Sequence, residues 1–346
     1  MLAYIFFTIS KTVIISFFQQ SLLQWYSTHG RHDLPWQNQS PYHVWLSEIM
    51  LQQTQVKTVI PYFHRFISKF PSIADMANAH EDEITQMWAG LGYYHRAKNM
   101  HRTSKIIHEQ FQGQFPRQLD ELKKLPGIGP STAAAISSQA FHQPHAILDG
   151  NVKRVLARFF AIQGPINDKE VAKQLEKKAN ECMPQQQCQA YTQALMDMGA
   201  TCCKPKNPNC LACPLQGHCR AFQSQLVANI PGKAKRNPPK TLQYHFVAHH
   251  HKQHIFFEKR PQTGIWPNLW CLPHCLPRPT QIPVIRFKHQ LTHQQMDIHI
   301  YTDGTSEELK HGQWLSQQDV QMMGIPKAIQ HIIEELFSSI TIDPTK

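Results

Sequence analysis

Four cysteines, Cys203, Cys210, Cys213 and Cys219, fall within one short run with the spacing C-x6-C-x2-C-x5-C. Pro, Asn and Gly separate them, so the segment turns repeatedly and its thiolates can converge on one inorganic centre. Structural zinc usually takes two tight C-x2-C knuckles, and only one short pair is present. A [4Fe–4S] cluster takes four thiolates at looser spacing. The run therefore favours a [4Fe–4S] cluster over zinc, and either over free thiols. Cys202 adjoins the run but is off its pattern, because a direct neighbour rarely ligates the same metal. The total of nine cysteines is odd and unevenly spaced, unlike a secreted disulfide framework. Cys182, Cys188, Cys271 and Cys275 read as buried or free thiols, and the compartment as reducing, hence cytoplasmic.

Around that run the chain divides into a helical part and a strand-bearing part. Hydrophobic residues make up 41% and charged residues 17% of 346. That excludes a globally disordered chain and suits about two domains. Over residues 19–225, apolar side chains recur at helical spacing. Tyr42 to Ile60 reads as one buried helix opened by Ser40-Pro41, with Val44, Trp45, Ile49, Met50, Val56 and Val59 inward. Similar patterns recur at 73–91, 96–111, 119–124, 131–140, 151–162, 169–182 and 188–198. Residues 226–240, LVANIPGKAKRNPPK, form a basic Pro-rich linker. Residues 241–346 then carry short strand patterns at 244–250, 254–260, 283–290 and 296–302, closed by a helix from Pro326 to Phe337. The expected fold class is multidomain: an all-α domain, then an α+β domain. Residues 1–18 are apolar, but Lys11 splits them. They fall short of the roughly 20 residues a membrane span needs and lack the features of a signal peptide. They read as an extension leading into the first helix, with no membrane association.

The formal charge is +11, and it is unevenly spread. Residues 1–225 hold 22 basic and 15 acidic side chains, the linker adds four cations, and residues 241–346 hold nine of each. The excess suggests a polyanion partner for the first two-thirds of the chain. Two cations, Lys204 and Lys206, lie in the loop between the first two cysteines of the run and suit phosphate contacts. Leu125-Pro126-Gly127-Ile128-Gly129-Pro130 joins two helical patterns through a tight turn. Gly127 and Gly129 permit close backbone approach, and the next helix offers unpaired N–H groups and a positive dipole end to a phosphate. Asp149 stands just ahead of a helix, as an N-cap does. Glu48 lies within the apolar WLSEIMLQQTQV. If it is desolvated there, its pKa rises and it becomes a competent acid near neutrality.

Taken together, the cysteine spacing, the LPGIG turn and the downstream Asp149 resemble the helix-hairpin-helix/iron–sulfur DNA glycosylases of the endonuclease III superfamily. SEIMLQQTQV, GLGYYHRAKN, LDGNVKRVLAR and the appended strand-rich domain are similar to the MutY-type adenine glycosylases over residues 19–345. The resemblance implies a monomeric, monofunctional glycosylase acting on double-stranded DNA with adenine opposite 8-oxoguanine or guanine, the adenine being flipped out of the duplex. It implies that Glu48 protonates adenine N7, that Asp149 stabilises the oxocarbenium-like sugar, and that Asn151 holds acid and water. Ser131 occupies the place of the Lys nucleophile of lyase relatives, which argues against a Schiff-base step. Lys153 stands near Asp149, and slow amine chemistry there stays open. Gln52 and Tyr93 would wedge into the base stack, while Arg31, Trp36, Leu51 and Asp197 would line the adenine pocket. Arg154 and Arg158 would contact phosphates. The last domain resembles a Nudix-like domain, yet no Asp or Glu occurs between Lys259 and Met296, so a Mg²⁺-holding acidic helix is not expected. In the family, a Phe-Ser-His turn after a basic residue senses 8-oxoguanine. Here the stretch reads Lys288-His289-Gln290-Leu291-Thr292-His293, which keeps a hydroxyl and a histidine but loses the aromatic.

Overall fold

A computed structural model describes residues 10–233, 240–278, 280–291, 294–303, 309, 311–321 and 323–341. The chain packs as two units: Met1–Ala74 with Thr103–Lys235, and Asp75–Arg102 with Arg236–Lys346. The helices are α1 (Lys11–His29), α2 (Pro41–Leu51), α3 (Val56–Lys69), α4 (Ile73–Asn78), α5 (Glu81–Trp88), α6 (His95–Gln110), α7 (Leu119–Lys124), α8 (Pro130–Phe141), α9 (Gly150–Phe160), α10 (Lys169–Cys182), α11 (Cys188–Asp197) and α12 (Arg220–Gln223).

In the first unit, α1, α9, α10 and α11 enclose a core of Phe18, Leu22, Leu156, Phe159, Leu175 and Tyr191. The Phe18 and Phe159 rings meet edge to face at 4.7 Å. Helix α1 starts at Lys11 and buries Phe18 completely, so residues 11–18 belong to the helical body. The extension expected there is at most residues 1–9, which lie outside the described residues. Helix α8 buries Ala133, Ala134 and Ala135, whose small side chains let α2 and α11 pack closely on it.

One expected helix is two. The pattern from Tyr42 to Ile60 breaks after Leu51, and the chain restarts as α3 at Val56. Gln53 takes a left-handed backbone (φ 58°) that no helix continues through. Periodicity alone did not reveal this, because the polar Gln-Gln-Thr-Gln stretch contains no Gly or Pro. The turn after α7 follows its glycines instead: Gly127 has φ 79°, Gly129 caps α8 and Pro130 takes its first position.

In the second unit, strands β1 (Lys240–His251), β2 (His254–Lys259), β3 (Trp270–Cys271), β4 (Ile285–Gln290), β5 (Gln294–Asp303) and β6 (Gly312–Leu315) form one sheet. Its order is β3-β2-β1-β5-β4, with β6 pairing on β2. Strands β1 and β5 run parallel, Tyr244 opposite Ile298 and Phe246 opposite Ile300. Alternate residues, among them Phe246, Ala248, Phe257, Ile298 and Ile300, form a core with Ile329, Ile333 and Leu336. Those last three come from α14 (Lys327–Gln330) and α15 (Ile333–Thr341), which follow α13 (Gln317–Gln321). The single closing helix expected from Pro326 to Phe337 is thus split near His331. Strands β3 and β6 span too few residues to show an alternating pattern.

Residues 75–102, which the sequence groups with the helices of the first part, pack in this second unit. Tyr94 Oη donates to Ile325 O at 3.3 Å, Lys259 pairs with Asp82, and Gly324 sits so close to Thr85 that an added Cβ would meet its methyl at 2.6 Å.

The burial of Phe18 gives a direct test of where the first unit begins. Phe18→Ala is expected to destabilise the protein by about 3–5 kcal/mol, as large-to-small changes in a core do. Urea denaturation followed by circular dichroism measures it; a loss below about 1 kcal/mol would mean that residues 11–18 lie outside the core.

Candidate active site

The α2–α3 turn, the α7–α8 hairpin and the loop entering α9 surround a cleft of about 970 Å³. Its walls include Arg31, Glu48, Leu51, Gln52, Gly127, Gly129, Ser131, Asp149 and Asn151. The structure therefore brings together most of the residues singled out in the sequence, all within the first unit.

Glu48 projects from α2, and its carboxyl is enclosed by protein although the residue still opens to the cleft. Burial pushes it up from 4.5 to about 7. The amide of Gln139, on α8, donates to Glu48 Oε1 at 3.0 Å and opposes that rise, while nearby Asp149 adds to it. Sequence reasoning missed Gln139, because its role depends on α2 and α8 crossing.

Asp149 is both N-cap and cleft residue. Its Oδ1 accepts from Val152 N at 2.7 Å, which satisfies one open donor of α9. Burial raises its pKa, opposed by the N–H groups of Val152 and Asn151 and by Arg154 and Lys153. Two carboxyls whose ionised forms are both disfavoured thus face one cleft. Ser131 Oγ accepts from Leu148 N at 3.2 Å and so fixes the loop that carries Asp149. Lys153 lines a neighbouring pocket with Ser131, Lys169 and Lys173.

Gly129 heads α8 with open space where a side chain would project, and no side chain caps the helix. Its first N–H groups therefore remain available to an anion. Gln52 spans the hairpin, donating to Gly127 O at 3.4 Å and to Thr132 Oγ1 at 3.3 Å.

Several sequence expectations change role. Trp36 is 2% exposed and packs edge to face on Phe63 at 5.4 Å; it is a core residue and does not line the cleft. Asp197 is fully buried and accepts from Arg31 N, Nε and Nη2 at 2.6–2.9 Å and from Gln193 at 2.8 Å. It orients Arg31, which alone of the pair reaches the cleft. Arg154 and Arg158 are both buried with their guanidiniums largely occupied by acceptors of the protein, and Arg154 also borders the cleft. Arg154 donates to Cys203 O, Gly199 O and Asn151 Oδ1 at 2.6–2.9 Å. Arg158 donates to Ile230 O and Lys204 O, each at 2.8 Å. Lys204 and Lys206 remain exposed. Tyr93 lies in the second unit with φ 49°. Thr292 and His293 lie outside the described residues.

The four cysteines of the run line one pocket with Arg158, Phe222 and Val227. A π-helical turn, Met198–Cys202, leads into it. Gly199 is required there: a Cβ would come within 2.6 Å of Asn151 Cβ. Arg158 Nη1 donates to Cys203 Sγ at 3.4 Å, giving a thiolate a cationic partner inside apolar walls. In the absence of a metal, burial pushes these thiols up, Cys219 to about 11. Among the described residues no three His, Cys, Asp or Glu converge closely enough for a single ion. The four cysteines of the run around this one pocket are the donor set that an iron–sulfur cluster takes. Also among the described residues, no helix is long and apolar enough to cross a membrane.

A hairpin that presents bare helix N–H groups beside an enclosed acid, followed by a cysteine-lined pocket, defines the class. The model of the HhH-GPD superfamily base excision DNA repair proteins matches residues 46–181, the iron–sulfur binding domain of endonuclease III matches 203–219, and a NUDIX domain matches 244–335. A thermostable thymine-DNA glycosylase superposes with a TM-score of 0.57 at 26% identity, over 62% of this chain and 98% of that one. A non-covalent endonuclease III–DNA complex superposes at 0.54 and 23% identity, over 63% and 99%, which shows the shared fold. Curated relatives are more similar. The adenine DNA glycosylase of Buchnera aphidicola subsp. Baizongia pistaciae is 40% identical over 92% of this chain and 96% of its own length. That of Buchnera aphidicola subsp. Schizaphis graminum is 37% identical over 92% and 98%, and that of Mus musculus 33% over 79% and 63%. The chain belongs to the adenine DNA glycosylase family: it is a DNA glycosylase of base excision repair that carries an iron–sulfur cluster.

The raised Glu48 pKa is also a statement about stability. The folded-state value, about 7, lies above the ordinary 4.5. The favourable contribution is therefore complete below pH 4.5 and is lost as pH rises through 7. Glu48→Gln is expected to raise the melting temperature at pH 8, by a gain of up to about 3 kcal/mol, and to leave it unchanged near pH 4. Equal shifts at both values would show that the carboxyl is not desolvated.

Proposed function

We propose that the protein is a monofunctional glycosylase that hydrolyses the N-glycosidic bond of adenine opposite 8-oxoguanine or guanine in double-stranded DNA, working as a cytoplasmic monomer around a [4Fe–4S] cluster. The observation that carries this reading is the enclosed Glu48, with a pKa of about 7, beside Asp149 in one cleft. Glu48 gives its proton to N7 of the flipped adenine, and the C1′–N9 bond breaks with its electron pair leaving on the base. Ionised Asp149 stabilises the cationic sugar. Water then adds at C1′ and releases a proton, leaving an abasic site and neutral adenine. Asn151, fixed by Arg154, holds the acid and the water in register. Ser131 offers no amine, which supports hydrolysis without a Schiff base. Leu51 and Arg31 border the base pocket, Gln52 is proposed to enter the stack from the hairpin side with Tyr93 as a second wedge, and Gly127 and Gly129 seat a phosphate. Lys153, Lys204 and Lys206 are proposed to add phosphate contacts.

The cluster would be held by Cys203, Cys210, Cys213 and Cys219, and a [4Fe–4S] group supplies a rigid fold for the loop carrying Lys204 and Lys206. About four iron atoms per chain are expected after anaerobic purification, and Cys203→Ser should lower both iron content and DNA affinity. Stoichiometric zinc without iron would refute the assignment.

Duplexes with adenine opposite 8-oxoguanine, guanine or thymine, incubated under single-turnover conditions and then treated with alkali, test the reaction. Strand breaks are expected for the first two only. Glu48→Gln and Asp149→Asn should each abolish release yet keep duplex binding; loss of the acid alone costs roughly 10²–10⁴-fold. Because Glu48 must be protonated, the wild-type rate should fall as pH climbs above about 7. Gln139→Leu removes a bond that favours the ionised form, so it should move that fall to higher pH. A flat profile from pH 6 to 9 would contradict the role of Glu48.

The second unit is proposed to read the opposing base through Thr292 and His293. No Asp or Glu occurs between Lys259 and Met296, so the carboxylates that would hold Mg²⁺ for pyrophosphate hydrolysis are not supplied by that stretch. Truncation near Asn229 would leave residues 75–102 without their sheet, so full-length Thr292→Ala/His293→Ala is the cleaner test. The ratio of adenine-removal rates opposite 8-oxoguanine and guanine should fall roughly 2–10-fold for each lost hydrogen bond. An unchanged ratio would assign lesion reading to the first unit.

A further inference from the structure

A basic pocket of about 540 Å³ adjoins the cleft. Helix α10 builds one of its walls. Val171, Leu175, Ala179 and Cys182 of that helix enter the core, while Lys169, Lys173, Glu176 and Asn180 follow one another at helical spacing and line the pocket. Lys153, on α9, adds a third cation, and the short side chains of Ala146 and Ala172 leave the space open. Pocket and cleft share Pro130 and Ser131, so the first turn of α8 borders both. The bond from Leu148 N to Ser131 Oγ, 3.2 Å long, fixes that common wall.

Three ammonium groups stand here against one carboxylate. Among the described residues none of the three is in an ion pair, whereas Glu181 at the end of α10 is held by Lys11 and Lys178 at 2.7 and 2.9 Å. Like charges gathered around one concavity raise its potential and concentrate an anion there. We propose that this pocket carries the DNA backbone past the Gly127–Gly129 hairpin, with Lys169 and Lys173 each neutralising one phosphate. Phosphates recur along a strand in a continuous row, so a strand seated at the hairpin has further phosphates to lay across the adjoining wall. Lysine suits this contact, because a point charge on a flexible stem follows a backbone without reading bases. The Glu176 carboxylate repels an anion placed farther along α10 and confines the contact to the Lys169–Lys173 turn.

The inference rests on the DNA-binding reading, which duplex binding by the wild-type protein tests separately. The test compares Lys173→Ala, Lys169→Ala/Lys173→Ala, Lys169→Arg/Lys173→Arg and Lys177→Ala in the full-length chain, with circular dichroism as the check on folding. Lys177 is exposed on the same helix but does not line the pocket, so it controls for net charge. The probe is a duplex with 2′-fluoro-adenosine opposite 8-oxoguanine; the fluorine opposes a cationic sugar, so the duplex is bound without being cut. Its dissociation constant is measured by fluorescence anisotropy over a series of salt concentrations. The slope of log affinity against log salt should become shallower by about 0.9 in Lys173→Ala and by about 1.8 in the double Ala variant, which should bind at least about fivefold more weakly at physiological salt. The double Arg variant and Lys177→Ala are expected to keep the wild-type slope. A wild-type slope in the double Ala variant, a reduced slope in the double Arg variant, or equal changes in Lys177→Ala and Lys173→Ala would each show that the pocket seats no phosphate. Failure of the wild-type protein to bind the duplex would overturn the DNA-binding reading itself.

Discussion

Arg154 joins the two chemical centres of the first unit. It is buried, and it donates to Asn151 at the mouth of the cleft, to Gly199 O in the π turn and to Cys203 O at the start of the cysteine loop. One turn along α9, Arg158 ties the same loop through Lys204 O and Cys203 Sγ. Helix α9 is thus a single spine with Asp149 capping one end and the cysteine pocket along its flank. A buried guanidinium is costly unless every donor is satisfied, and the acceptors of Arg154 come from the π turn (Gly199 O), the cysteine loop (Cys203 O) and α9 itself (Asn151 Oδ1). The cleft geometry and the cysteine loop therefore stand or fall together.

The second constraint is electrostatic. Glu48 and Asp149 are both moved toward neutrality, chiefly by desolvation, and each is near the other. The fold opposes that cost incompletely, with one amide from Gln139 and the α9 N–H groups on Asp149. Two carboxyls with unequal support in one site need not titrate together. Asp149 has the stronger support, because its cap bond and the cations at 153 and 154 favour the ionised form. Glu48 has only Gln139, and its pKa rises to about 7.

What could be read from the sequence followed from local covalent constraint. The cysteine spacing, the Gly127-to-Pro130 turn and the Asp149 cap are each set by a few adjacent residues, and each stands in the structure where the sequence places it. Side chains whose role depends on a distant partner were not legible. Trp36 reads equally well as pocket wall or core until Phe63 is placed against it. Arg154 and Arg158 read as phosphate contacts until the acceptors they satisfy within the protein come together. The break between α2 and α3 was hidden because Gln53 adopts a left-handed backbone without a glycine to signal it. Gln139 and Gly199 carry no motif at all; one is found only through the crossing of α2 and α8, the other only through its approach to Asn151.

The grouping of residues 75–102 with the C-terminal sheet also has a consequence in time. The partners of this segment, Lys259 and Ile325 among them, are synthesised more than 150 residues later. At roughly 5–20 residues per second, helix α5 and the turn after it leave the ribosome on the order of ten seconds or more before their sheet exists. During that interval the partners that Asp82 and Tyr94 hold in the finished protein, Lys259 and Ile325 O, have not yet been made. Closing of this unit therefore waits on synthesis through residue 325 and beyond.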